Sequence, residues 1–338
     1  MFILDLDTFL VALYTIIDDL YKAVYPYVIL RSGPKEIMAD SEILFLAVCA
    51  QWLNIPERKL IRFTKTYWQP YLPNLLSQSQ FNRRFRALGM VMTSLVTAIS
   101  IEMATYLKAN HAIMDTLGVP LMKRCRGKAH RLFAEEIANI GKGGSDHEWY
   151  YGIKLALVVN PEGGVTGFIL APASTSDRWL AEYIFCYRNN PTGEPVKVSA
   201  LPLSHKRGYK RIGPIGEIWP KEGVGRPNSG PYLVDRGFTG RWWVKHWKEA
   251  YEAIVLLADD YKGDNAGEQK HEHYSLRQII ETVNGHLSDA FHINQIGARS
   301  KQGLLARIAA KLLALNLGIW LNKLFGRPKL ALASLFSW

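Results

Sequence analysis

Tyr150-Tyr-Gly-Ile-Lys-Leu-Ala-Leu-Val-Val-Asn-Pro-Glu-Gly-Gly-Val-Thr-Gly-Phe-Ile-Leu170 is the stretch that decides the fold. Segment 150–159 alternates cleanly, with Tyr151, Ile153, Leu155, Leu157 and Val159 on one face and Gly152, Lys154, Ala156 and Val158 on the other, which is the period of a β-strand. Pro161-Glu-Gly-Gly reads as a hairpin turn, and Val165 to Leu170 as the returning strand. Upstream lies a short apolar strand, His111-Ala-Ile-Met, ending at Asp115. Downstream, Asp177 can cap a helix through Arg188, followed by strand Tyr232-Leu-Val-Asp235, a Trp-rich helix around 241–251 and strand Ala253 to Ala258. Two more helices follow, one bearing Glu281 and one from about Lys301 to Phe325. The order predicts an α/β fold, a mixed sheet with helices on its faces.

Residues 1–110 read as helical throughout. Segment 5–24 has helical spacing, and Asp40-Ser41 can cap an apolar helix through Trp52. A further helix begins at Pro56, with Arg58, Lys59, Arg62 and Lys65 exposed. Ser79 is a candidate N-cap for a long helix reaching about Lys108. Residues 139–147 read as a polar, Gly-rich linker. Residues 189–231 form a Pro/Gly-rich connection with seven Lys/Arg between 197 and 226 against only Glu217 and Glu222. So long an irregular segment inside a compact domain is usually functional or disordered. The expected organisation is a helical region at 1–110, a sheet domain at 111–325 carrying a basic insertion at 189–231, and a tail at 326–338.

The chain has 338 residues, 48% of them hydrophobic, with Lys+Arg 41 against Asp+Glu 30 and net charge +11. The excess favours a polyanionic partner, nucleic acid before anionic membrane, over a merely basic soluble protein. Cys49, Cys125 and Cys186 lack disulfide or zinc-ligand spacing. Acids within the apolar start argue against a secretory signal. Leu304 to Trp320 contains Arg307 and Lys311 and reads as too short and too charged to span a bilayer. The expected compartment is the cytoplasm, in association with the nucleoid.

Asp115, Asp235 and Glu281 are the candidate catalytic residues and metal ligands. Ligands of an open α/β sheet sit outside the carboxyl ends of its strands, where both aspartates are expected. An aspartate in such a place is also a common turn former or helix cap. Glu281 shares a helix face with Tyr274, Arg277 and Asn284; the alternative is an exposed Arg277–Glu281 ion pair of about 0.3 kcal/mol. Three converging carboxylates repel one another unless cations join them, and an all-oxygen site suits Mg²⁺ or Mn²⁺. Two such ions can clamp the attacking and leaving oxygens of an in-line phosphoryl displacement.

These residues carry a family resemblance. Tyr274-x₂-Arg277-x₃-Glu281 resembles the Tyr–Arg–Glu–Lys signature around the third carboxylate of insertion-sequence transposases of the DDE type. Asp115 within Ile-Met-Asp-Thr and Asp235 within Val-Asp-Arg-Gly-Phe resemble that group's first and second aspartates. The hairpin sequence and the Ala-Pro-Ala-Ser-Thr-Ser-Asp that follows it resemble the segment between them. The resemblance covers roughly residues 40–320. It departs from the signature at Ser288, where the lysine would fall, which leaves Lys154, Arg277 and Arg299 as candidates to grip phosphate beside the third acid. The resemblance implies a ribonuclease-H-like fold, whose core has this same strand order. It also implies cleavage of transposon ends to free a 3′-hydroxyl and joining of that hydroxyl to target DNA. The implied cofactor is a pair of Mg²⁺ ions, for which Mn²⁺ can substitute. The implied partners are double-stranded terminal inverted repeats and target DNA, bound by a homodimer on paired ends, with no membrane.

The helical region is the candidate DNA-binding part. Arg83, Arg84 and Arg86, early in a capped helix, suit the recognition helix of a helix-turn-helix, and Asn82 could read adenine. The alternative is a solvated basic face. Lys206, Arg207, Lys210 and Arg211 in the insertion, with Lys154, Tyr274, Arg277 and Arg299, complete the DNA-contacting candidates. Trp242 and Trp243 are either helix core or a stacking platform for a flipped base. The competing functions are a ribonuclease-H-like nuclease without strand transfer and a transposase-derived DNA-binding protein that has lost catalysis.

Overall fold

A computed structural model of the chain describes residues 6–25, 37–105, 111–123, 132–143, 148–190, 192–201, 216–226, 230–238 and 240–332. It divides into two compact units, residues 1–102 with 286–338, and residues 103–285.

The first unit is helical. It contains α1 (Leu6–Val24), α2 (Asp40–Trp52), α3 (Glu57–Tyr67), α4 (Gln78–Ala87), α5 (Gly89–Thr105) and the late helix α9 (Lys301–Leu324). Apolar nearly all round past its first turn, α2 is buried from Ile43 through Ala50 and packs against α1, α4 and α9. Long-range hydrogen bonds fasten α9, among them Trp52 Nε1 donating to the Ala314 carbonyl at 3.1 Å and the buried Asn316 Nδ2 donating to the Val96 carbonyl at 3.1 Å. The sequence reading placed this helix with the sheet domain, whereas the compact sheet unit ends at Gly285. A helix apolar all round carries no stripe that says which core it joins. By length and composition α9 could also cross a membrane, contrary to expectation, but 83% of its most apolar window is buried, as in a core helix.

The single helix expected from Ser79 to Lys108 is two, α4 and α5, bent by 56°. A Cβ at Gly89 would lie 3.3 Å from the backbone nitrogen of Ala306, so glycine lets α5 start hard against α9. The N-cap of α4 is Ser77 rather than Ser79. Gln80 N–H donates to Ser77 Oγ at 3.4 Å, and Ser77 N–H donates to Gln80 Oε1 at 3.1 Å, a reciprocal capping box. Asp40 does not cap α2, whose N-cap is Ala39; its carboxylate instead accepts from Arg84 Nη2 at 2.5 Å and from Tyr21 Oη at 3.0 Å.

The second unit is a mixed sheet with helices. Its elements are β1 (Ala112–Met122), β2 (Asn139–Gly143), β3 (Glu148–Val159), β4 (Val165–Pro172), α6 (Asp177–Asn189), β5 (Tyr232–Leu233), α7 (Arg241–Tyr251), β6 (Val255–Leu256) and α8 (Ala266–Gly285). The order across the sheet is β2–β3–β1–β5–β6, with β4 also on β3 beyond the end of β2. The β1–β3, β3–β4 and β2–β3 pairs are antiparallel, and β1–β5 and β5–β6 are parallel. The expected hairpin closes through Asn160, whose Oδ1 accepts from the backbone N–H groups of Glu162 and Gly164 at 3.0 and 2.9 Å. This is the expected α/β class, and it is consistent with a ribonuclease-H-like DDE domain.

Ala112, Met114, Ala156, Val158 and Ile169 on one sheet face form a core with α6 and α7, filled by Trp179, Trp243 and Trp247. Trp243 is therefore core, while Trp242 stacks on His246 with ring centroids 4.9 Å apart. The other face of β1 meets α8.

Four strands differ from expectation. β5 stops at Leu233, two residues short of Asp235, where the ladder to β1 ends. β6 covers only Val255–Leu256, while β1 and β2 extend further than expected. β1 does not end at Asp115 but runs on to Met122, because Thr116 to Met122 find partners in β3 down to Tyr151. Pro120 sits in this extension next to a register shift, where a strand tolerates a missing N–H. The expected linker at 139–147 contains β2, whose Gly141 passes so near Ala173 that any Cβ would strike its carbonyl.

Candidate active site

Asp115 and Asp235 come together through strand register. Ile113 pairs with Leu233 across the parallel β1–β5 ladder, which sets Asp115, two residues on along β1, beside Asp235, two residues past the end of β5. Alternation on β1 turns Met114 and Thr116 toward α6 and Asp115 toward α8. There Asn284 Nδ2 donates to Asp115 Oδ2 at 3.2 Å. Thr116 N–H donates to Asp115 Oδ1 at 2.8 Å.

A third aspartate, seen in the sequence only as a helix cap, completes the cluster. Asp177 lies in the first turn of α6, whose N-cap is Ser176. Its Oδ1 accepts from Thr116 Oγ1 and from Lys154 Nζ, both at 2.9 Å. Lys154, one of the three candidates to grip phosphate, is ion-paired here and only 14% exposed. Gly237 lies between Asp177 and Asp235. A Cβ there would fall 2.7 Å from Asp177 Oδ2 and 2.9 Å from Asp235 Oδ1, so the two carboxylates frame a space that only glycine leaves open. Gly237 N–H donates to Asp235 Oδ1 at 2.8 Å, closing the turn after β5.

The electrostatics follow from this crowding. Burial pushes the Asp115 carboxyl up to about 7; the Thr116 N–H opposes the rise, the Asp235 charge adds to it, Arg277 offsets part, and Asp177 adds again. Like charges held together out of water favour protonation unless a cation joins them.

α8 brings Arg277, Glu281 and Asn284 to one face, four and then three residues apart. Asn284 reaches Asp115 directly, and Arg277 acts on it through its charge. Arg277 Nε and Asn284 Oδ1 are buried without hydrogen-bond partners. Glu281, between them, is exposed. Among the described residues, no three His, Cys, Asp or Glu side chains are already arranged around a metal position. The donor chemistry nevertheless suits a hard divalent cation, since Asp115 and Asp235 offer oxygen ligands and the cluster is short of positive charge.

The other expected contact residues are dispersed. Tyr274, three residues before Arg277 on α8, is 53% exposed. Arg299 is exposed in the helical unit. Arg83 and Arg86 are exposed on α4, with Asn82 half-buried beside them. Arg84 is not part of a free basic face: it is ion-paired to Asp40 at 2.5 Å, and its Nη1 donates to the Met38 carbonyl at 2.5 Å. Lys206, Arg207, Lys210, Arg211 and Cys125 lie outside the described residues.

Residues 107–187 match the family model of the transposase DDE domain. The match spans Asp115, the β3–β4 hairpin and most of α6, and it supports a DDE-type transposase. No curated protein and no solved structure matches the chain.

Proposed function

We propose that the chain is a DDE-type transposase that cuts the ends of a mobile element and joins the freed 3′-hydroxyl to target DNA. The observation that supports this reading is the nearness of Asp115, on β1, to Asp235, two residues past the end of its parallel neighbour β5, inside a unit whose first half matches a transposase DDE domain. Asp115, Asp235 and Glu281 are the proposed catalytic acids. Asp115 and Asp235 present carboxylate oxygens to the cation site, and Glu281 completes it from the α8 face that already reaches Asp115. Bound Mg²⁺ or Mn²⁺ supplies charge neutralisation and lowers the pKa of the attacking water or hydroxyl. Asn284 fixes the Asp115 carboxylate, Lys154 holds Asp177 through their ion pair, and Arg277 places a positive charge beside the acids. The partners are paired terminal repeats and target DNA, held by a homodimer in the cytoplasm.

The test is Mg²⁺-dependent nicking of a duplex carrying the element's end, followed by joining of a pre-cut end to a target plasmid. Asp115→Asn and Asp235→Asn are each expected to abolish both steps. Equal nicking by the wild-type chain and Asp235→Asn would remove the catalytic assignment. Nicking without joining would leave a nuclease.

A further inference from the structure

We infer that the exposed face of α3, continued by Arg83 and Arg86 of α4, is a surface that grips duplex DNA through its phosphates. The inference rests on the transposase reading and goes beyond it by moving the main contact from α4 to α3. The first observation is one of charge. The 44 residues from Arg58 to Ile101 contain seven Lys or Arg and not one Asp or Glu, in a chain that holds 30 acids. A merely solvated helix surface usually mixes both signs and pairs them three or four residues apart.

The second observation is how the fold deploys those cations. Leu60 and Thr64 bury one side of α3. Arg58, Lys59, Arg62 and Lys65 are all exposed, and 58, 62 and 65 fall on a single stripe. That stripe is about 10 Å long at 1.5 Å per residue. It therefore spans about three steps of one DNA strand at 3.4 Å each. None of these four forms an ion pair with a described residue. The only acid of α3, Glu57, is taken up by Arg307, whose Nη2 and Nε donate to its Oε1 at 2.7 and 2.9 Å, so it does not cancel the face. α4 packs on α3 and adds Arg83 and Arg86. Arg84 is withdrawn into its pair with Asp40, which removes the central arginine of the triplet that the sequence offered as a recognition element.

Phosphate contacts add affinity and salt dependence but no sequence information. The test measures binding of the full chain to two labelled duplexes of equal length across a salt series. One carries the element's end and the other a shuffled sequence. Each cation that neutralises a phosphate contributes about 0.9 to the slope of log K against log salt. The variant Arg58→Ala/Lys59→Ala/Arg62→Ala/Lys65→Ala is expected to lower that slope by about 3 to 4 on both duplexes alike. Arg58→Lys/Arg62→Lys, which keeps the charge, is expected to preserve the slope. Single alanine variants, each expected to remove about 0.9, cover the case in which the fourfold variant fails to fold. An unchanged slope in the alanine variants overturns the surface while leaving the transposase reading intact. So does a loss confined to the specific duplex, which would signal base reading. If the wild-type chain binds neither duplex but binds anionic vesicles, the transposase reading itself fails, and this surface fails with it.

Discussion

Asn284 and Asp115 are 169 residues apart in the chain and are joined by a hydrogen bond from Nδ2 to Oδ2 at 3.2 Å. That bond ties α8 to the strand carrying the first proposed catalytic acid. Asn284→Leu removes the donor with little change of volume and frees the Asp115 carboxylate to rotate. Groups that orient a metal-binding carboxylate are typically worth 10–100-fold in metal affinity or activity. A drop of that size is expected in Mg²⁺-dependent nicking, with the melting temperature little changed. Wild-type activity in Asn284→Leu would show that the bond orients nothing.

Gly237 offers a sharper steric test. Gly237→Ala places a methyl group 2.7 Å from Asp177 Oδ2 and 2.9 Å from Asp235 Oδ1, closer than such contacts are tolerated. One carboxylate must turn away. Nicking is expected to fall about tenfold or more, because the displaced carboxylate is either Asp235 itself or Asp177, whose bonds to Thr116 and Lys154 brace the strand beside Asp115. The same kinetics in wild type and variant would mean that the framed space plays no part in the chemistry.

Glu182 predicts a pH dependence away from the site. Its fully buried carboxylate accepts from Tyr251 Oη at 2.6 Å, the Val196 N–H at 2.7 Å, Trp247 Nε1 at 3.0 Å and His246 Nε2 at 3.1 Å. Burial alone would raise this carboxyl; the hydrogen bonds from His246, Tyr251 and Val196 overcome burial and hold it below the ordinary 4.5. A carboxyl depressed in the folded state contributes its full stability above the unfolded value and loses it as pH falls toward the folded one. Glu182→Leu, which leaves four donors without an acceptor, is expected to cost on the order of 3 kcal/mol at pH 7. The wild-type advantage in urea unfolding should shrink below about pH 4.5. A difference constant from pH 7 to pH 3 would rule this account out.

Arg84 separates a structural arginine from its neighbours. Its pair with Asp40 is mostly buried, with side chains 15% and 6% exposed. Arg84→Ala strands the Asp40 carboxylate and is expected to destabilise the helical unit by on the order of 3 kcal/mol. Its effect on the salt dependence of DNA binding should be nil. Arg83→Ala is expected to do the reverse, leaving the melting temperature unchanged and lowering the salt slope by about 0.9. If Arg84→Ala lowers the slope and leaves stability alone, the assignment is inverted.

Several of these relationships were readable in the sequence. The strict alternation around Ile153 and Leu155, together with Pro161-Glu-Gly-Gly, foretells the β3–β4 hairpin, because one face per strand must be buried and the turn has few alternatives. Asp115 was legible as a strand residue and Asp235 as an acid following a strand. Their nearness was not, since register across a parallel pair depends on partners distant in sequence. Asp177 passed for an ordinary helix-start residue, because its tie to Lys154 on β3 exists only once the sheet has formed. β2 was hidden by its glycines, which lower strand propensity while Gly141 allows close approach to Ala173 and Gly143 to the Tyr150 ring. Arg84 looked like its neighbours, and only the position of Asp40, 44 residues earlier, sets it apart.

α9 has a consequence for synthesis. Its contacts with α2 and α4, and the bonds to Trp52 and Val96, cannot form until residues past 300 have left the ribosome. Until then the apolar flanks of α2 lack their partner, while residues 103–285 already hold every strand of their own sheet. A nascent or truncated chain would therefore carry a sheet unit free to fold beside an unfinished helical one. The sequence of translation itself thus makes the helical unit the last part of the molecule to become competent.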